Sequence, residues 1–170
     1  MTLAERMAEF VFSLRFERLP REVVAAARRH LADSVACALG AFAAEPVELV
    51  RRYALARGGR EEATLLGTER HVPAALAALV NGTMLRYLDA NDIYAFSGGH
   101  DSGHFSDAVP ALLALAERHG RSGEELLTCV VAVYELQGAI AQAFHFMARG
   151  YHALTQVPWA LPIVAARLMG

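Results

Sequence analysis

Residues 122–146, SGEELLTCVVAVYELQGAIAQAFHF, decide the fold. They open on Ser122-Gly123-Glu124-Glu125, a capping-box pattern. In that pattern a serine hydroxyl and a glutamate three residues on each accept a free N–H at a helix start. From Leu126 the run is apolar nearly all round, with Glu135 and Gln137 as its polar insertions. A helix without a polar face is covered on every side. It needs other helices around it, and the rest of the chain supplies them.

A second stretch of this kind, LADSVACALGAF at 31–42, ends a long helical pattern over 21–42. Val23, Val24, Ala27, Leu31, Val35, Ala38 and Leu39 form its stripe, and Ala36, Ala38, Gly40 and Ala41 leave room for close neighbours. Asp33 and Ser34 interrupt it and read as a structural network or an exposed face ahead of direct chemistry. Residues 2–16, 46–57, 73–88, 109–119 and 157–169 read as further helices, punctuated by Pro20, Gly58-Gly59, Gly120 and Gly150. Residues 63–72 suit a small hairpin. Asn81-Gly82 ordinarily signals a turn, but the apolar pattern continues through it. Gly82 is therefore expected to sit in a helix and admit a close neighbour. The fold class is all-α: a layered helical domain with two central buried helices.

The chain has 170 residues, 55% hydrophobic and 20% charged, with a formal net charge of -2. That is enough to bury a core and argues against disorder. It lacks the basic surplus of a nucleic-acid binder. All 16 basic residues are Arg, so no lysine is present to form a Schiff base. Cys37 and Cys129 lie far apart in apolar sequence and read as core thiols, without metal-ligand spacing. Glu5, Arg6 and Glu9 interrupt the N-terminal apolar stretch, unlike a signal peptide. No run reaches the ~18 consecutive apolar residues of a membrane span. A cytoplasmic protein without membrane contact is expected.

The long break in the helical pattern is 87–110, YLDANDIYAFSGGHDSGHFSDAVP. It gathers Asp89, Asn91, Asp92, His100, Asp101, Ser102, His104, Ser106 and Asp107. Long loops in compact domains are often functional. Asp89 and Asp92 share a face if the preceding helix continues one more turn. The glycines at 98, 99 and 103 let backbone approach a ligand. A carboxylate and an imidazole facing one cavity make a general acid/base pair. Ser106 and Asp107 precede a helix; they suit an N-cap, or an anion at its free N–H groups. The Asp/His set could also hold a metal, although its spacing matches no strong template. The residues alone leave the reaction type open.

Several segments, in order, resemble the MmgE/PrpD family. Ala77-Ala78-Leu79-Val80-Asn81-Gly82 is similar to its A-x-x-N-G helix, and Tyr87-Leu88-Asp89-Ala90-Asn91-Asp92 to its L-D-[FY]-[ND]-D motif. His104-Phe105-Ser106-Asp107-Ala108-Val109-Pro110-Ala111 resembles H-P-S-D-x-[IV]-P-A. Ala114-Leu115-Ala116-Glu117, Gly120-x-Ser122-Gly123, Tyr134-Glu135-Leu136-Gln137 and Gly150-Tyr151-His152 follow as in the family. The resemblance implies a helical domain plus a smaller α/β lid, usually in a homodimer, with the active site in the cleft between them. It implies acid/base chemistry beside a carboxylate of a small di- or tricarboxylic acid, with no cofactor, no iron–sulfur cluster and no metal.

Carried over by motif, Asp89 and His104 take the catalytic positions. Asn91, Asp92, Ser102, Gly103, Ser106 and His152 fall around the substrate. The implied activity is a hydro-lyase of the 2-methylcitrate dehydratase type, in propanoate metabolism. An epimerase, isomerase or decarboxylase of a related acid is the alternative; an inert helical dimerisation or partner domain is another. Ile93 stands where relatives often carry Thr, and Phe105 where they carry Pro. The passage from Asp92 to His104 departs from the decarboxylase pattern. The 170 residues then read as one helical domain, the N-terminal portion of a two-domain enzyme, with the lid absent.

Overall fold

A computed structural model describes residues 1–95 and 102–170. Among them run seven α-helices: α1 (Leu3–Ser13), α2 (Arg21–Gly40), α3 (Glu45–Arg57), α4 (Ala74–Tyr87), α5 (Val109–Arg118), α6 (Gly123–Phe144) and α7 (Val157–Met169). Two antiparallel pairs of two-residue strands complete the frame: β1 (Ala63–Thr64) with β2 (His71–Val72), and β3 (Tyr94–Ala95) with β4 (Ser102–Gly103). Three 3-10 turns lie at Phe16–Arg18, Phe105–Ala108 and Met147–Arg149.

The helix starts follow the sequence. Thr2 and Ser122 both form full capping boxes, with Glu5 and Glu125 as reciprocal partners. Pro46, Pro110 and Pro158 stand in the first turns of α3, α5 and α7, where the missing N–H costs nothing. α4 runs through Asn81-Gly82 as expected, for a different reason. Nothing lies within 4 Å of a Cβ added at Gly82, so the glycine admits no close neighbour. Asn81 is the buried member of the pair. Its Oδ1 accepts from the Leu66 N–H at 3.1 Å and its Nδ2 donates to the Thr64 carbonyl at 2.9 Å, tying the hairpin onto α4.

α6 is the central helix. Its residues from Leu127 to Val133, with Leu136, Gln137, Ile140 and Ala141, are buried. It is long and apolar enough to cross a membrane by length and composition, but those faces are spent on the protein core. α2 departs from expectation. Only Ala27, Ser34 and Ala38 are buried, Asp33 faces out, and Leu39 is 45% exposed. Its C-terminal half is apolar all round yet packs along one side. The other side forms an open groove with Leu126 and Leu127 of α6.

Two apolar clusters result. One gathers α6, α7, Val11 of α1 and Leu112 and Ala116 of α5. The other gathers α3, α4, the β1–β2 hairpin, Ala38 and Ala41 around the end of α2, and Ala114 of α5. Cys129 is buried in the first, and burial pushes its thiol up to about 11. Cys37 is half-buried beside the second, and its thiol is raised by burial and then by the charges of Asp33 and Asp92. Neither is a ready thiolate. α5 joins the clusters, and the segment leading into it carries the candidate site.

Candidate functional site

α4 stops at Tyr87, and Asp89 turns the chain with a left-handed φ of 52°. Its N–H bonds back to the Arg86 carbonyl at 3.1 Å. This reversal separates the two aspartates expected on one face. The Asp89 side chain is 72% exposed, that of Asp92 only 12%. Asn91, between them, is buried.

Arg86 gathers the first group. Its Nη1 lies 3.0 Å from Asp89 Oδ1 and donates to Asn91 Oδ1 at 2.9 Å; its Nε lies 3.5 Å from Asp107 Oδ1. The Asn91 Nδ2 donates to Ser106 Oγ at 2.8 Å and to Asp107 Oδ1 at 3.2 Å. Ser106 and Asp107 sit inside the 3-10 turn Phe105–Ala108 and cap nothing, since neither that turn nor α5 has a side-chain cap. The capping expectation fails because both side chains are spent on Asn91. Burial raises the Asp107 carboxyl above its ordinary range, against the pull of Arg86, His104 and Asn91.

Asp92 gathers the second group. Its Oδ1 accepts from the Ser106 N–H at 3.1 Å and its Oδ2 from the Tyr134 hydroxyl at 2.9 Å. His30 Nδ1 of α2 lies 3.6 Å from the same Oδ2. Burial, then the charge of Asp92 and its hydrogen bond, raise the Tyr134 hydroxyl far above its usual range, so it stays a donor. Tyr134 also meets His30 at 5.1 Å and Phe105 edge-on at 5.7 Å between ring centroids.

His104 stands between the groups. Its Nδ1 is 2.8 Å from the Asp92 carbonyl oxygen, and its Nε2 is 3.6 Å from Asp89 Oδ1. A carbonyl only accepts, so Nδ1 carries a proton and Nε2 is the atom left to gain or lose one. His152 has the opposite arrangement. Its Nδ1 accepts from the Leu154 N–H at 3.2 Å, which leaves the proton on Nε2.

The 152–156 connector reaches the same loop. A Cβ on Gly103 would stand 2.7 Å from Gln156 Nε2 and 3.3 Å from the Ala153 carbonyl oxygen. Gly103 is thus buried against that connector, while Ser102 pairs with Ala95 and has its Oγ 4.0 Å from Met147 Sδ. Beside Asp92 opens a cavity of about 410 Å³, its described lining including His30, Ile93, Tyr94, Tyr134, Glu135 and Gln142.

The structure brings Asp89, Asn91, Asp92, His104 and Ser106 into one bonded network. Gly103 lies against it, and His152 lies on the adjoining connector. His100, Asp101 and the 97–99 run lie outside the described residues. Sequence reading missed Arg86, His30 and the hydroxyl of Tyr134, which come from three helices and look like ordinary helix residues in one dimension. Besides the place of Tyr134 in the Tyr134-Glu135-Leu136-Gln137 segment, the available signal was that a buried aspartate needs donors. Among the described residues, no three His, Cys, Asp or Glu side chains are grouped to hold a metal ion.

Known proteins resemble this chain over about three-fifths of its length. A "2-methylcitrate dehydratase-like protein oryR" of Aspergillus oryzae is 32% identical over 120 residues, which are 62% of this chain and 23% of that protein. The "2-methylcitrate dehydratase" of Escherichia coli is 29% identical over 114 residues, 61% of this chain and 23% of the relative. A "Probable 2-methylcitrate dehydratase" of Saccharomyces cerevisiae is 28% identical over 119 residues, 62% of this chain and 22% of the relative. The matched part spans less than a quarter of each relative's length. Residues 5–170 match the MmgE/PrpD N-terminal domain, and the chain belongs to the MmgE/PrpD family.

Proposed function

We propose that residues 1–170 are the N-terminal helical domain of a two-domain, cytoplasmic, homodimeric lyase. Its reaction removes water from a small di- or tricarboxylic acid of the 2-methylcitrate type. The observation that carries the reading is His104, with Nδ1 held by the Asp92 carbonyl at 2.8 Å and Nε2 turned to Asp89 at 3.6 Å. In this mechanism Nε2 takes the proton alpha to a substrate carboxylate. The electron pair of that C–H bond forms the new C=C bond as the C–O bond breaks. The hydroxyl departs as water with the proton returned to it by His104 Nε2, which leaves the imidazole neutral again. Asp89 stabilises the imidazolium formed on His104. His152, with its proton on Nε2, donates to a substrate oxygen.

Arg86 is already shared by Asp89, Asn91 and Asp107, so it has little left for a substrate carboxylate. Cationic groups for the remaining carboxylates come from a lid domain that closes over Asp89. The test is turnover of 2-methylcitrate and related hydroxy-tricarboxylates by the full-length protein, read from the alkene product. His104→Ala should lower kcat by about 10²- to 10⁴-fold, the usual weight of a general base. Unchanged turnover in that variant would sink the assignment.

A further inference from the structure

We propose that Asp92 is a positioning residue, which sets the proton form of His104 through its main chain and holds that main chain in place with its carboxylate. The proposal rests on the acid/base reading of His104 for its purpose, but not for its geometry.

Each oxygen of the carboxylate accepts a hydrogen bond from within the fold. Oδ1 takes the Ser106 N–H at 3.1 Å, and Oδ2 takes the Tyr134 hydroxyl at 2.9 Å with His30 at 3.6 Å. These partners come from three separate elements: the 3-10 turn before α5, helix α6 and helix α2. They fix the residue in space on the rigid part of the fold. Its carbonyl is thereby held 2.8 Å from His104 Nδ1. A histidine tautomer is set by the bond its other nitrogen makes. Without that carbonyl, neutral His104 would be free to carry its proton on Nε2, toward Asp89. An Nε2–H cannot act as a base. Asp92 thus keeps the Nε2 lone pair available although a carboxylate 3.6 Å away favours a proton there. With both oxygens bonded inside the protein, Asp92 contributes by holding His104 rather than by touching substrate.

The test is the ¹⁵N spectrum of the full-length protein labelled at histidine. His104 is assigned by the signal lost in His104→Gln, and the pH is set where His104 is neutral. The wild type should show a protonated Nδ1 and a bare Nε2. Asp92→Ala should shift the ratio toward Nε2–H by about threefold to tenfold, the range one lost hydrogen bond gives. Asp92→Asn keeps an acceptor for Ser106 and should move it less. Should Asp92→Ala not fold, Tyr134→Phe carries the test, because it removes one hydroxyl and little volume; it should shift the ratio the same way. A wild type with its proton on Nε2, or folded variants that all keep the wild-type ratio, overturns the proposal. Failure of the lyase reading shows separately, as unchanged turnover in His104→Ala.

Discussion

Asp89 pays for its place with a left-handed backbone, φ 52°, which a side chain with a Cβ adopts at a cost. Its ion pair with Arg86 is on the surface and returns little. Glycine at this position should therefore be more stable than alanine by about 1 kcal/mol, the reverse of their order inside a helix. Urea midpoints of Asp89→Gly and Asp89→Ala check this, and alanine at or above glycine would refute the held turn. Asp107 gives a pH signature. Its folded carboxyl is raised by burial, so its contribution is complete below the ordinary 3.8 and is lost as pH rises through the raised folded value. Asp107→Asn should flatten the fall of stability just above 3.8; a slope equal to wild type across that window would contradict it. The site was half legible in sequence. Asp89 and His104 stand in a polar loop and declare themselves by residue type. Arg86, His30 and Tyr134 lie on helices, and their convergence on Asp89, Asp92 and Asp107 is a fact of tertiary packing that no local pattern carries.

At the scale of elements, adjacent residues of α4 should respond with opposite signs. Gly82 has open space around a would-be Cβ and no positive φ, so it carries the helix penalty of glycine without a packing benefit. Gly82→Ala should stabilise by about 0.5–1 kcal/mol. Asn81→Ala removes both side-chain bonds from α4 to the β1–β2 hairpin segment and should cost about 1–3 kcal/mol. Thermal or urea midpoints decide both; a destabilising Gly82→Ala would restore the close-packing view. Helix positions, the Ser122 capping box and the hairpin were readable because local chemistry determines them; the Thr2 box, of the same pattern, came only from the structure. The open side of α2 was not. Apolar residues all round a helix state what could be buried, whereas which sides meet a neighbour depends on how α2, α4 and α6 cross. The 3-10 turn before α5 was hidden similarly, since Ser106 and Asp107 look like caps until Asn91 is seen between them.

At the scale of the molecule, the site lies where the two apolar clusters meet. Asn91 and Asp92 follow α4 of one cluster, and Tyr134 belongs to α6 of the other. The His104 geometry therefore needs both clusters in register, and parts of the fold remote from the seam are free to open without disturbing it. α1 is such a part. It buries a single residue, Val11, and its C-terminal carbonyls are held from α7: Arg167 donates to the Val11 oxygen and to the Leu14 oxygen, the latter at 2.9 Å. Loose helices with few buried contacts open below the global limit, while central helices exchange through global unfolding. Native-state hydrogen exchange should accordingly give α1 amides a lower opening free energy than those of Leu127 to Ile140 in α6. Arg167→Met keeps the apolar stem and removes both donors to α1. It destabilises the docked state relative to every state in which α1 is released. Opening free energies of α1 and α6 should then both fall by about 2 kcal/mol, the order expected for charge-assisted bonds, with the gap between the helices unchanged. Equal opening free energies for α1 and α6 in the wild type would mean that α1 comes away only when the whole domain does.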